Sequence, residues 1–295
     1  MRRSLPSPLS LVLVGLAGCV APTPPLPAGL TADPRAGVDT GTGHPLRVVH
    51  SPSGVTLRLV PGTANTSPFY LAETELTVAA WRRFVAASGY RTDAERGVPE
   101  DRFTVGAFSA VPSGGREWSE RARWDQIFPL LGTEVLRDDL PVLYVSAADA
   151  EAYVAHFALR LPTSAEWERA ARAGATTRFP WGDEPNGACR SANLQDQAGV
   201  RRFPDFNVPL ACDDGFALVA PVASLRANAL GFFDMIGNVE EWCAAAPGTG
   251  AGFELVGGSW VADADGAALS HRASLDRHAR RDFIGFRPAL SIPEH

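Results

Sequence analysis

The chain predicts a mixed helix-and-strand domain with few regular elements and long loops, placed behind a leader and a tether. Three observations predict it. Capped amphipathic helices and short alternating runs fill the first half of the chain. After residue 175 turn residues, aromatics and short apolar stretches dominate, with no sustained helical period. With 295 residues and 45% hydrophobic content, the chain is long enough to bury a sizeable core.

The leader comes first. Arg2 and Arg3 form a short basic region, and Leu9 to Ala17 an apolar stretch well below the ~20 residues of a membrane span. It ends in Leu16-Ala17-Gly18-Cys19, which resembles a bacterial lipobox. That implies cleavage before Cys19, acylation of its sulfur and a firm hold on a membrane surface. Val20 after Cys19, rather than an acid, is compatible with transfer to the outer membrane. The expected location is the cell envelope, at the outer membrane or the periplasmic face. Residues 19–44 are then an acylated cysteine with a Pro- and Gly-rich tether expected to be disordered, from Pro22, Pro24, Pro25 and Pro27 onward. Residues 45–295 form one domain without a second linker or internal repeat.

Within it, Leu46 to Pro61 reads as a hairpin split at Ser53-Gly54, and Phe69 to Leu71 as a strand. Thr77 caps a helix over Val78 to Ser88 that stops at Gly89, with Trp81, Phe84 and Val85 on one face. Ser146 with Asp149 forms a capping box before a helix bearing Ala147, Ala150, Val154 and Phe157 on one side. Thr163 with Glu166 forms another, before a helix that runs to Ala173.

Formal net charge is −6, and all 27 basic residues are arginine, which points to codon usage. An acidic balance with no basic cluster gives no footing for nucleic acid.

Five motifs then follow in order: RLPTSAEWERAARAG (Arg160 to Gly174), FPWGDE (Phe179 to Glu184), NALGFFDMIGNVEEW (Asn228 to Trp242), GGSW (Gly257 to Trp260) and GFR (Gly285 to Arg287). With the segment Glu73 to Glu95 upstream, this resembles the formylglycine-generating-enzyme (sulfatase-modifying factor) family over roughly Val48 to Leu290. The resemblance implies an α+β domain of the C-type-lectin-like type with low regular secondary structure.

The family's namesake activity oxidises a sulfatase cysteine to formylglycine with one copper ion held by two cysteines after GGS; soft thiolates suit Cu(I). Those positions are Ala262 and Ala267 here, and no cysteine follows Cys243. Copper is therefore not expected. Cys189 and Cys212 look like the disulfide of exported relatives with the C…AN…CDDG pattern, a metal pair being the competing reading. Closing that loop would contribute roughly 3 kcal/mol. Cys243 reads as a buried thiol.

The resemblance also implies structural Ca²⁺, a cation that takes six to eight oxygens. One site maps to Asn193, Leu194, Asp214 and Phe216, a second to Asp234, Gly237, Val239 and Glu241, with Glu240 adding a carboxylate beside the second. At least one bound ion is expected. No catalytic constellation stands out. Cleft candidates are Ser259, Trp260, His271, Arg272 and Arg277, the arginines suited to an anionic or peptide ligand. His271 and His278 read first as solvated loop histidines, and Arg287 as half of a buried ion pair. Three functions remain: a binding or scaffold lipoprotein with an exported protein or peptide partner; an enzyme with cysteine-independent chemistry acting on an exported peptide or small molecule; and formylglycine generation itself, which the missing cysteines nearly exclude.

Overall fold

The computed structural model describes residues 25–100, 103, 105–132, 134–204, 210–245 and 252–293. Cys19 and the leader lie outside the described residues. No described helix is long and apolar enough to cross a membrane.

Strands β1 (Leu30–Ala32), β2 (Arg47–His50), β3 (Val55–Val60) and β4 (Phe69–Ala72) run antiparallel in sequence order. The hairpin expected over Leu46 to Pro61 is β2 and β3, with Val48 opposite Leu57 and both facing the core at 0% exposure. All four residues of β4 are buried, as an interior strand covered on both faces requires.

Helix α1 (Val78–Ser88) starts where the Thr77 hydroxyl accepts from the Ala80 N–H at 3.2 Å and ends on Gly89 at φ 68°. A second, four-residue helix, α2 (Asp93–Arg96), carries a capping box of its own, Thr92 with Glu95. The hairpin of β5 (Ala107–Ala110) and β6 (Arg116–Ser119) follows. Helices α3 (Ala147–His156) and α4 (Ser164–Arg172) begin with the two expected capping boxes, both complete. Trp81 of α1 stacks on Tyr153 of α3 at 5.9 Å between ring centroids, which docks the two helices.

Beyond α4 the regular elements are short: α5 (Gln197–Arg202), β7 (Glu240–Ala244), β8 (Phe253–Val256), β9 (Ile284–Gly285) and β10 (Ala289–Ser291). β7 lies between antiparallel β8 and parallel β9. β10 returns to the first sheet and pairs with β4, so the last strand closes the fold onto its beginning.

One expectation is corrected. The segment read as a disordered tether up to residue 44 is built into the domain from Leu30 onward. β1 pairs with β2, Asp33 accepts from Arg47 at 2.7 Å, and Leu26 and Leu30 pack against a core that contains Val48 and Leu57. Proline and glycine content pointed to a flexible chain; strand pairing, two packed leucines and an ion pair tie it to the domain.

Candidate functional site

Three polar assemblies sit among the loops of the second half. The first is built on the Cys189–Cys212 disulfide, with Cα atoms 6.0 Å apart. The expected bridge is thus formed, and the metal-pair alternative falls away. It holds together two loops that carry Asn193 and Asp214. Asp196 ties them further: one carboxylate oxygen accepts from the Asp214 N–H at 2.6 Å, the other caps α5. Asn193 is 1% exposed; its amide donates to the Leu218 carbonyl (2.9 Å) and to Asn238 Oδ1 (3.1 Å). Its own Oδ1 is buried without a partner, and so is Asp214 Oδ2. Nor does any described N–H donate to the carbonyls of Leu194 or Phe216. Burial pushes the Asp214 carboxyl up to about 7, with Asp196 adding repulsion.

Buried oxygens without donors are costly and call for a cation or water. The four unclaimed oxygens are the set expected at the first calcium position, and a hard cation suits a side-chain amide, a carboxylate and two carbonyls. These residues fit a structural Ca²⁺, which would keep Asp214 ionised and fasten the two loops.

The second assembly centres on Arg287, 0% exposed. Its guanidinium meets both Glu241 oxygens, at 2.7 to 2.9 Å, and the carbonyls of Ala72, Phe233 and Asp234. Trp167 Nε1 also donates to Glu241 at 2.9 Å. Arg287 is therefore the expected buried pair. Of the second calcium set, Glu241 already has a cation against both oxygens. Asp234 accepts from the Ala223 N–H at 2.7 Å, and burial raises it to about 6. Gly237 stands at φ 77°, where a Cβ would lie 2.2 Å from the Asn193 carbonyl oxygen, so only glycine allows this approach. The Arg287 guanidinium is thus the cation that faces Glu241. Glu240, beside it, is buried and raised to about 7 by that burial.

Two residues here escaped the sequence reading. Glu75, 1% exposed, accepts from Asn238 Nδ2 (2.8 Å) and the Val239 N–H (3.1 Å), and burial raises its carboxyl well above the ordinary range. Asn238 thereby links the loop of Asn193 to the residues just before α1. A polar residue just before a helix cap carries no sequence sign of burial; Asn238, inside the GNV motif, was the available signal.

The third assembly is the GGSW turn. Gly258 stands at φ 66°, and a Cβ there would come within 3.1 Å of the Ala262 Cβ and 2.8 Å of the Gly266 carbonyl oxygen, so the turn folds back on Ala262. Ala267 is fully buried, and Ala262 packs against the same cluster, as does Cys243, a free thiol at 0% exposure whose pKa burial raises well above the ordinary value. Ser259 is buried. Trp260 is a core residue: 2% exposed, its indole N–H on the Asp282 carbonyl at 3.3 Å, its ring against Phe128 and Phe203.

The remaining cleft candidates do not converge on it. Arg272 is spent on Glu168 and on the carbonyls of Leu269 and His271, and Arg277 pairs with Glu151 at 2.7 Å on the exposed surface. Each guanidinium thus has a carboxylate partner. His271 joins only a local turn, its N–H on the Ala268 carbonyl at 2.8 Å. His278 is not simply solvated: Nδ1 lies 2.7 Å from the buried Asp93 carboxylate, which also receives Ser146 Oγ (2.7 Å) and Arg96 (2.5 Å). Among the described residues, no group of three or more His, Cys, Asp or Glu is placed to hold a metal.

Together these assemblies define an irregular α+β domain whose long loops are fixed by buried polar groups around a turn of alanines. The chain belongs to the formylglycine-generating-enzyme family: residues 58–292 match the sulfatase-modifying factor enzyme 1-like domain. It is 37% identical to the formylglycine-generating enzyme of Streptomyces coelicolor over 68% of this chain and 69% of that protein. It is 32% identical to the inactive C-alpha-formylglycine-generating enzyme 2 of Mus musculus over 95% of this chain and 92% of that one. Among solved structures, PvdO from Pseudomonas aeruginosa shares the fold with a TM-score of 0.58 at 20% identity, over 81% of this chain and 95% of that chain.

Proposed function

We propose that this protein is an exported, lipid-anchored family member that has kept the fold and given up copper-dependent cysteine oxidation, serving as a binding or scaffold protein for an exported protein or peptide. One observation carries this reading: the two positions that would hold copper are methyl groups, Ala262 beside Gly258 and Ala267 in the core, and the free thiol of the same cluster, Cys243, is buried. Cu(I) selects paired thiolates, and methyls offer it nothing. A relative called inactive that aligns along nearly the whole chain supports the loss of chemistry. The basic pair, the apolar stretch and Cys19 support export and acylation, with residues 19 to about 25 as the remaining tether and calcium as the structural cofactor.

The test is restoration. The wild-type protein is expected neither to hold copper nor to oxidise the cysteine of a sulfatase-type peptide, while Ala262→Cys/Ala267→Cys gains stoichiometric Cu(I). Aldehyde formation by the wild-type protein, read by mass spectrometry, would overturn the proposal in favour of an oxidase with other ligands.

A further inference from the structure

A cavity of about 480 Å³ opens where the first turns of α4 approach the start of β4 and the end of β10. Phe69 packs at its edge, 2% exposed, with the guanidinium carbons of Arg169 and Arg160 at 5.0 and 5.5 Å from its ring centroid. The two arginines differ in what they hold. Arg160 has four of its five donors engaged: it grips both oxygens of Glu166 at 2.7 Å and donates to Ser291 Oγ at 2.8 Å and to the Leu161 carbonyl at 3.1 Å. Arg169 gives one bond to the Thr66 hydroxyl and one to the Ser67 carbonyl at 3.1 Å. Among the described residues it has no carboxylate partner, and its Nε is buried without an acceptor. Glu166, the one acid whose field reaches it, is committed to Arg160.

A partly shielded guanidinium with five donors and two of them met lacks an anion. The strand edge adds another donor. Ala289 exchanges both of its backbone hydrogen bonds with Arg160, at 2.7 and 2.9 Å. Alternation along β10 therefore turns the Ser291 N–H to the same outer edge, where Ser291 lines the cavity. Pro68, Phe69, Ala165 and Ile292 supply an apolar wall.

We propose that this cavity binds the carboxylate of a small organic acid, with Arg169 and the Ser291 N–H on its oxygens and its apolar body against Pro68, Phe69 and Ile292. A carboxylate matches the guanidinium's planar edge, and the volume accommodates a ligand of amino-acid size. The site is separate from the alanine turn and does not rest on the reading proposed above.

The experiment is calorimetric titration of the full-length protein with N-acetylleucine, a tripeptide ending in leucine, the amide of that tripeptide, and inorganic phosphate. One saturable site for N-acetylleucine, none for the amide, and a loss of roughly ten-fold or more in affinity in Arg169→Gln are expected, the size of one charge-assisted hydrogen bond. Binding of the tripeptide alone would make the source a peptide C-terminus; binding of both, any acid that fits. Because Arg169 also fastens residues 66 and 67, a second variant is needed. Ala165→Glu alters an exposed helix position four residues before Arg169 and supplies a tethered carboxylate; the folded variant should lose ligand binding completely. Absence of saturable carboxylate binding, phosphate binding in its place, or affinity unchanged in both variants would overturn the proposal.

Discussion

The two halves of this domain are held by different physics. Up to Arg172 the chain relies on repetitive backbone hydrogen bonds: four neighbouring strands, capped helices, and aromatic packing between α1 and α3. Beyond it, elements of two to six residues alternate with long loops, and side chains fasten them: the Cys189–Cys212 bridge, the Arg287–Glu241 pair, and Asn238 between Asn193 and Glu75. In the first half the cost of one lost contact is spread over a ladder. In the second, single contacts hold whole loops, so single changes should act more strongly there.

The largest effect is expected at Arg287. Replacing it with Met strands Glu241, beside Glu75 and Asp234, without a cation. Loss of one partner of a buried pair costs about 3–5 kcal/mol, read as a drop in the denaturant midpoint; a loss below 1 kcal/mol would mean that these acids simply take up protons. Next comes the disulfide. Cys189→Ser/Cys212→Ser should cost roughly 3 kcal/mol, and reductant should lower the wild-type melting temperature but not that of the double variant. In the first half, Thr163→Ala removes the hydroxyl that accepts from the Glu166 N–H at 3.2 Å. The expected loss is only about 1 kcal/mol, and one rivalling the disulfide would erase the contrast between the halves.

A pH prediction sharpens the comparison from within the first half. Asp149 is raised from 3.8 to about 6, chiefly by burial and then by the charge of Asp93. Between those values the folded state holds more protons than the unfolded chain, so this group's contribution makes stability fall as pH rises from about 4 to 6 and level off above. Asp93 is lowered by His278, Ser146 and Arg96 against the opposing pull of burial, and its contribution is lost only as pH falls below the ordinary carboxylate range. Asp149→Asn should give a shallower decline between pH 4 and 6 in chemical denaturation series; an identical slope would assign the dependence to other buried acids.

What the sequence made legible follows the same division. Thr77, Ser146 and Thr163 announced their helices because a cap is a local contact within three residues, and the alternation of Val48, Leu57 and Leu59 fixed a hairpin. The short α2 has the same kind of cap at Thr92 but too few residues to show a period, and β5 and β6 have no strong alternation. The disulfide and the buried Arg287 were readable only through family resemblance, since each joins residues far apart in the chain. Glu75 and His278 were missed or misjudged for that reason: nothing in their neighbours tells that one reaches Asn238 and the other Asp93. Trp260, placed in a cleft by its motif, is instead part of the core because Phe128 and Phe203 close over it.

We propose that calcium fixes the loops of Asn193 and Asp214 in a domain that lacks the paired thiolates of a copper site. Elemental analysis of the full-length protein after dialysis against trace copper and calcium tests it most directly. The account predicts about one calcium per chain, lost in Asp214→Ala, and no copper. Stoichiometric copper, or a protein that holds no calcium at all, would contradict it.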